Sequence, residues 1–204
     1  MSWNSHVDWG VLGFRRGLIR AGTGLLMVAV LCMHAAAEEW IPDPEQSRIG
    51  FQASQLGAPF HGEFKRYRSS IVFDPEHLDR SKVSFTVDID SVDTQNAERD
   101  ATIQTPDWFD AGNHPTATFD SERFTAIGDG RYEAIGMLTM RGVSRPVVFP
   151  FTFGLVSQEG REVARVEGTF PVRRTEYGIG QGQWASDGVV GDQVLIQVQL
   201  TAVR

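Results

Sequence analysis

Cysteine is almost missing: Cys32 is the single example among 204 residues, and it lies in a segment that reads as removable. Without that segment no disulfide, zinc–thiolate site or thiol nucleophile can form. Basic charge is also scarce, with 19 Lys and Arg against 26 Asp and Glu. Nucleic acid is therefore an unsuited partner. Long hydrophobic runs are lacking too, because the longest, Leu25 to Met33, falls far short of the roughly 20 residues that span a bilayer as a helix. His61, His77 and His114 show no His-x-x-x-His spacing, so no metal site is expected. Gly-x-Ser-x-Gly is absent. Gly178-Ile179-Gly180-Gln181-Gly182 follows a strand without the helix that a phosphate loop needs and reads as a flexible hairpin loop. No catalytic residue is assigned, and the chain is not expected to be an enzyme.

What is present begins with an address. Arg15, Arg16 and Arg20 precede the apolar run, which ends in Ala35-Ala36-Ala37, the pattern of a cleavable secretory signal peptide over residues 1–37 with cleavage after Ala37. Cys32 as a lipid acceptor is the weaker reading, since Leu31 precedes it where lipoprotein signals carry a small residue. The Arg15-Arg16 pair leaves the general and twin-arginine export routes both open. Cleavage removes three basic residues and one acidic one, leaving 167 residues with 16 basic against 25 acidic, a net charge of -9. One exported domain, 38–204, is expected.

Along that domain the recurring pattern is alternation. Val83, Phe85, Val87 and Ile89 alternate with polar residues up to Asp90, and Val194, Ile196, Val198 and Leu200 do the same, each a strand with one wet face. Weaker versions run over 48–54, 61–73, 116–124, 132–140, 147–156 and 162–172. Eight strands is a natural barrel number. The turns Asp74-Pro75, Gly128-Asp129-Gly130, Arg141-Gly142, Glu159-Gly160 and Asp187-Gly188 separate them, and connections this short favour antiparallel neighbours. The class is all-β, an up-and-down antiparallel barrel.

One segment breaks the pattern. From Ser91 to Phe119 the chain carries helix caps, an aromatic pair and then Gly112 before His114-Pro115, which predicts a short helical insert around residues 94–112. Thr94 or Asn96 can cap the first helix, with Glu98 in its first turn. Thr105-Pro106 repeats the start signal, so two short helices or one broken helix are expected, with Gly112 as the stop. Trp108 and Phe109 then close one end of the barrel, as packing or as ligand contacts.

Alternation also nominates an inward face: Phe51, Phe64, Phe85, Val87, Ile89, Phe119, Tyr132, Leu138, Phe149, Phe151, Phe153, Ile196 and Val198. Arg99 and Asp100, with Arg174 and Glu176, can gather at the barrel mouth around a polar head group, because guanidinium suits phosphate or carboxylate. The alternative is an internal salt bridge of Arg174 with Asp100 or Asp110.

These residues carry a resemblance. Ser47-x-Ile49-x-Phe51, Gly62-x-Phe64, Thr94, Arg99-Asp100, Trp108-Phe109-Asp110, His114-Pro115, Phe119, Tyr132-x-Ala134-x-Gly136-x-Leu138-Thr139-Met140-Arg141-Gly142, Arg174-x-Glu176-Tyr177-Gly178-Ile179 and Gly191-Asp192 follow in order. The sequence resembles the YceI family, exported lipocalin-like proteins known as polyisoprenoid-binding. It departs at Tyr67-Arg68-Ser69, where an aromatic followed by glycine is usual. The resemblance implies an extended eight-stranded antiparallel barrel that holds one long-chain isoprenoid or fatty-acyl molecule, a quinone among the candidates, and no other cofactor. The signal peptide adds a periplasmic location, and the resemblance is compatible with transient membrane contact and with a homodimer, the oligomeric state staying open. Two further readings stay open: an accessory to a membrane quinone oxidoreductase or an enzyme acting on such a lipid, and a stress-related barrel without ligand.

Overall fold

Alternating strands dominate the computed structural model, which describes residues 39–204 except 159 and 187. The expected signal peptide, residues 1–37, lies outside the described residues, as do Glu159 and Asp187 of two expected turns. The strands are β1 (Ile41–Pro42), β2 (Arg48–Gln55), β3 (Ala58–Phe64), β4 (Tyr67–Val72), β5 (Lys82–Asp88), β6 (Val92–Asp93), β7 (Thr116–Gly128), β8 (Arg131–Met140), β9 (Val143–Gln158), β10 (Arg161–Arg173) and β11 (Gln193–Val203). They form one antiparallel sheet in the order β4-β5-β7-β8-β9-β10-β11-β2-β3-β6, with β1 beside β11. The turns follow their chemistry: Gly128, Asp129 and Gly130 all have positive φ, as do Arg141 and Gly142.

The sheet curls into a barrel because its two ends belong to one bent ribbon. Only Lys65 and Arg66 separate β3 from β4, and a 3-10 turn, Ile89–Ser91, separates β5 from β6. Across this bend the Lys65 N–H donates to the Ser91 carbonyl (3.1 Å) and the Asp88 N–H to the Arg66 carbonyl (3.0 Å). The run expected as one strand over 61–73 is therefore two, and the expected strand 83–90 stops at Asp88. The bend has a side-chain reason. Phe64 and Tyr67 both face inward, and an odd spacing puts two residues on one face only if the strand breaks between them.

A second irregularity sits in β7. Ser121 lies opposite Gly136 and Arg123 opposite Ile135, so Glu122 is an extra residue, a β-bulge. Beyond it the inward positions shift by one, and both Phe119 and Phe124 pack inside despite their spacing of five. The free edge of β4 is met by the N-terminal segment: the Trp40 N–H donates to the Ile71 carbonyl (2.7 Å), and the next residues pair Ile41 with Val203 and Pro42 with Ala202.

The insert contains one α-helix, α1 (Ala97–Ile103), capped by the Asn96 side chain, which accepts from the Arg99 N–H (3.0 Å). The second expected helix does not form. After Thr105-Pro106 the chain makes consecutive turns, with the Trp108 and Asp110 N–H groups both donating to the Thr105 carbonyl. Asp110, not Gly112, takes the left-handed conformation (φ 51°) that ends it. Too few residues separate Pro106 from Asp110 for a helix to propagate.

Candidate ligand cavity

The interior is not filled. Two large hydrophobic clusters occupy the barrel, one beneath the insert around Ile89, Trp108 and Tyr177, the other at the far end around Trp40, Phe73, Phe124 and Phe151, with a smaller third around Phe51, Ala53, Val92 and Ile103. Phe85, Phe119 and Phe149 touch both clusters yet are only half-buried, although they point inside the ring. They border open space. A cavity of about 370 Å³ runs between the clusters and is walled almost entirely by apolar side chains.

Most residues nominated by alternation lie on its wall. Phe51, Phe64, Phe109, Trp108 and Ile196 line the end near the insert; Phe85, Val87, Phe119, Leu138 and Phe149 line the middle; Phe151, Phe153 and Val198 line the far end. Two of the apolar nominees are off the wall. Tyr132 stacks behind Phe151, with ring centroids 5.7 Å apart, and Ile89 is fully buried in the turn that bends the β5–β6 ribbon. Phe60, Phe73, Trp40 and Trp184 also line the cavity and were not nominated. Phe60 precedes the expected strand start, Trp40 lies just outside β1, and Phe73 ends the expected run 61–73, whose break at Lys65-Arg66 obscures which of its positions face inward.

The mouth is at α1. Among the described wall residues only Asn96 and Glu98 are exposed, and both belong to the start of this helix; Gln55 and Phe60 of the β2–β3 hairpin face them. Arg99 crosses the gap. Its guanidinium lies 4.0 Å from the centre of the Phe60 ring, and Nη1 donates to Gln55 Oε1 (3.2 Å). On the helix side Nε donates to Thr94 Oγ1 (2.9 Å) and Nη2 to the Thr94 carbonyl (3.1 Å). Asp100 stands off the wall and fixes the same threonine, accepting from its N–H (2.9 Å) and hydroxyl (2.6 Å). Arg99 and Asp100 thus act as one unit through Thr94.

Arg174 belongs to a different structure. Though 2% exposed, it lines the cavity and lies 5.5 Å from the Trp108 ring centre. Its guanidinium donates to six main-chain carbonyls, those of Ile179, Gly180, Trp184, Ser186, Val190 and Gly191, at 2.7–3.3 Å. The salt bridges considered from sequence do not form: Asp100 accepts from Thr94, and Asp110 from the Asn113 amide. The glycine-rich stretch expected as a hairpin loop is wound around this cation, and Gly178, Gly180 and Gly182 all have positive φ. Asp192 anchors the winding. Burial opposes its charge, but the Thr175 hydroxyl (2.7 Å) and N–H (3.1 Å) hold its carboxyl below the ordinary range. Glu176 is exposed and meets none of these groups with its carboxylate; its carbonyl accepts from Arg145 (2.9 Å).

The comparisons with known proteins agree with this architecture. The model of the YceI-like domain matches residues 40–202. A UPF0312 protein of Vibrio vulnificus is 32% identical over 170 residues, covering 81% of this chain and 89% of that protein. Among solved structures, BcnA of Burkholderia cenocepacia superposes with a TM-score of 0.73 at 28% identity, covering 79% of this chain and 99% of its own. A polyisoprenoid binding domain from Saccharophagus degradans, at 14% identity and a TM-score of 0.61 over 82% of this chain and 98% of its own, shares the fold. With the barrel, the insert and the Arg174 winding all inside the matched residues, the chain belongs to the YceI-like domain family.

Proposed function

We propose that the protein is an exported, periplasmic carrier that holds one long apolar molecule, of isoprenoid or fatty-acyl type, inside the barrel and performs no chemistry on it. The observation that carries this reading is the half-buried ring of Phe85, Phe119 and Phe149 around open space, since a barrel built only for packing would fill that level with side chains. Scaled from an apolar cavity of about 150 Å³ that accepts benzene, 370 Å³ has room for at least about fifteen carbons. At about 0.8 kcal/mol per methylene, fifteen carbons gain roughly 12 kcal/mol, enough to compete with the 4–15 kcal/mol cost of association. A titratable pair or nucleophile on the wall would argue for catalysis, and the charged groups there, Glu98, Arg99 and Arg174, lie at the mouth and in the winding.

Native mass spectrometry of the protein isolated from the cells that export it tests the reading. One apolar molecule per chain is expected, released by organic extraction. A protein that emerges empty and then takes up no fatty acid or isoprenol from solution would end the carrier hypothesis.

Arg99 makes a sharper expectation. Its stacking on Phe60 and its bond to Gln55 are together worth about 1–2 kcal/mol, so Arg99→Ala should speed release of a bound fluorescent fatty acid about tenfold. The unfolding midpoint should fall as well, because the two bonds to the buried Thr94 go with the side chain. An unchanged release rate would mean that the mouth is not latched here.

A further inference from the structure

The cavity has a mouth at α1, and its opposite end is closed by aromatic rings. Phe73 is the hub of that closure: its ring lies 4.8 Å from Phe153, 5.2 Å from Tyr132, 5.3 Å from Phe124 and 5.5 Å from Phe151, centre to centre. Each of these contacts is edge-on, the arrangement that locks rings against one another. Its backbone is held as well, since the Phe73 carbonyl accepts from Trp40 Nε1 (2.9 Å). Trp40 lines the same end beside it, 6.0 Å from Phe153, and is itself capped by Arg204 at 4.5 Å. Phe73 is 4% exposed, yet it lines the cavity.

We propose that Phe73 is the length-determining residue of the site: an apolar chain entering at α1 runs down the barrel until it meets this ring, and chains that would pass it are rejected. The inference rests on the carrier reading and adds to it a specificity element at the end remote from the mouth. A wall of rotatable aliphatic side chains could yield to a longer chain, whereas a ring fixed by four others cannot move without disturbing all of them. Every methylene up to the ring should strengthen binding about fourfold, and the next should not.

The test is a titration of ligand-stripped protein with saturated fatty acids differing by single methylenes, from ten to twenty-two carbons. In the natural protein affinity should climb about fourfold per methylene and then break. Phe73→Leu, which shortens the side chain while keeping it apolar, should move the break one or two carbons longer, raising affinity for those acids about four- to sixteenfold. Phe60→Ala, at the mouth, should weaken all lengths alike and leave the break in place. A break that stays put in Phe73→Leu, or that moves equally in Phe60→Ala, overturns the assignment while leaving the carrier reading intact. If no acid of any length binds the natural protein, nor any isoprenol of ten to twenty carbons, the carrier reading itself fails. Should Phe73→Leu not fold, Phe124→Leu, which removes one of the rings holding Phe73, carries the same expectation.

Discussion

Arg174→Ala should lower the stability of the protein by about 3–5 kcal/mol, a large share of the 5–15 kcal/mol typical of a folded domain. Hydrogen bonds to a charged donor are worth about 1.5–3 kcal/mol each, and a buried acceptor stripped of its donor costs about 1–3 kcal/mol. Six carbonyls share this one guanidinium, so the loss should be limited only by the water that can enter in its place. Arg174→Lys should recover less than half of it. An ammonium offers three donors from one point, whereas the carbonyls of Ile179, Val190 and Gly191 are reached by three different nitrogens of a planar fork. Urea unfolding followed by tryptophan fluorescence measures both variants, because Trp108 and Trp184 border the winding. If both fall within about 1 kcal/mol of the natural protein, Arg174 does not hold it together.

Gly136→Ala should cost about 3 kcal/mol and should also misplace the far end of the cavity. A methyl group at Gly136 would lie 2.2 Å from the Asp120 carbonyl oxygen and 2.8 Å from the Ser121 Cα, both main-chain atoms that no rotamer change can move aside. Strand β7 would have to shift at the bulge where Glu122 is extra. That bulge lets Phe124 follow Phe119 onto the inner face, so its loss would turn Phe124 outward and remove a neighbour of Phe73. Gly154→Ala is the comparison, a strand glycine with nothing within 4 Å of the added carbon, and it should change stability by less than about 0.5 kcal/mol. Equal midpoints for the two variants would mean that the close approach at Gly136 is not a constraint.

These two positions also show how much the sequence disclosed. Alternation is a local signal, so it located the inner face of β5, β8, β9 and β11, and most of the residues it nominated lie on the cavity wall. It failed where the wall depends on an irregularity. Phe64 and Tyr67, or Phe119 and Phe124, reach the same face only through the bend at Lys65-Arg66 and the bulge at Glu122, and both are set by cross-strand contacts. The helix start was legible as Thr94 or Asn96, because capping involves residues three apart, and the structure uses Asn96. The partners of Arg174 were not. A search for opposite charge pointed to Asp100 and Asp110, whereas much of this cation is satisfied by carbonyls, which every residue carries and no sequence pattern marks. Trp40 is similar: its role follows from lying across β4 and beside the last strand.

The position of β11 has a kinetic consequence. Strand β11 pairs with β10, β2 and β1, so the ring cannot close before residues 193–203 have been made. At about 5–20 residues per second, the interval between completing β2 and completing β11 is on the order of ten to thirty seconds. Throughout it the β11-facing edge of β2 is unpaired, joined by that of β10 once Arg173 is made, and the phenylalanine-rich inner face is open to water, the condition under which nascent β chains associate with one another. The chain therefore depends on protection from its neighbours until β11 is in place, and removing that strand should yield aggregates, not a smaller barrel.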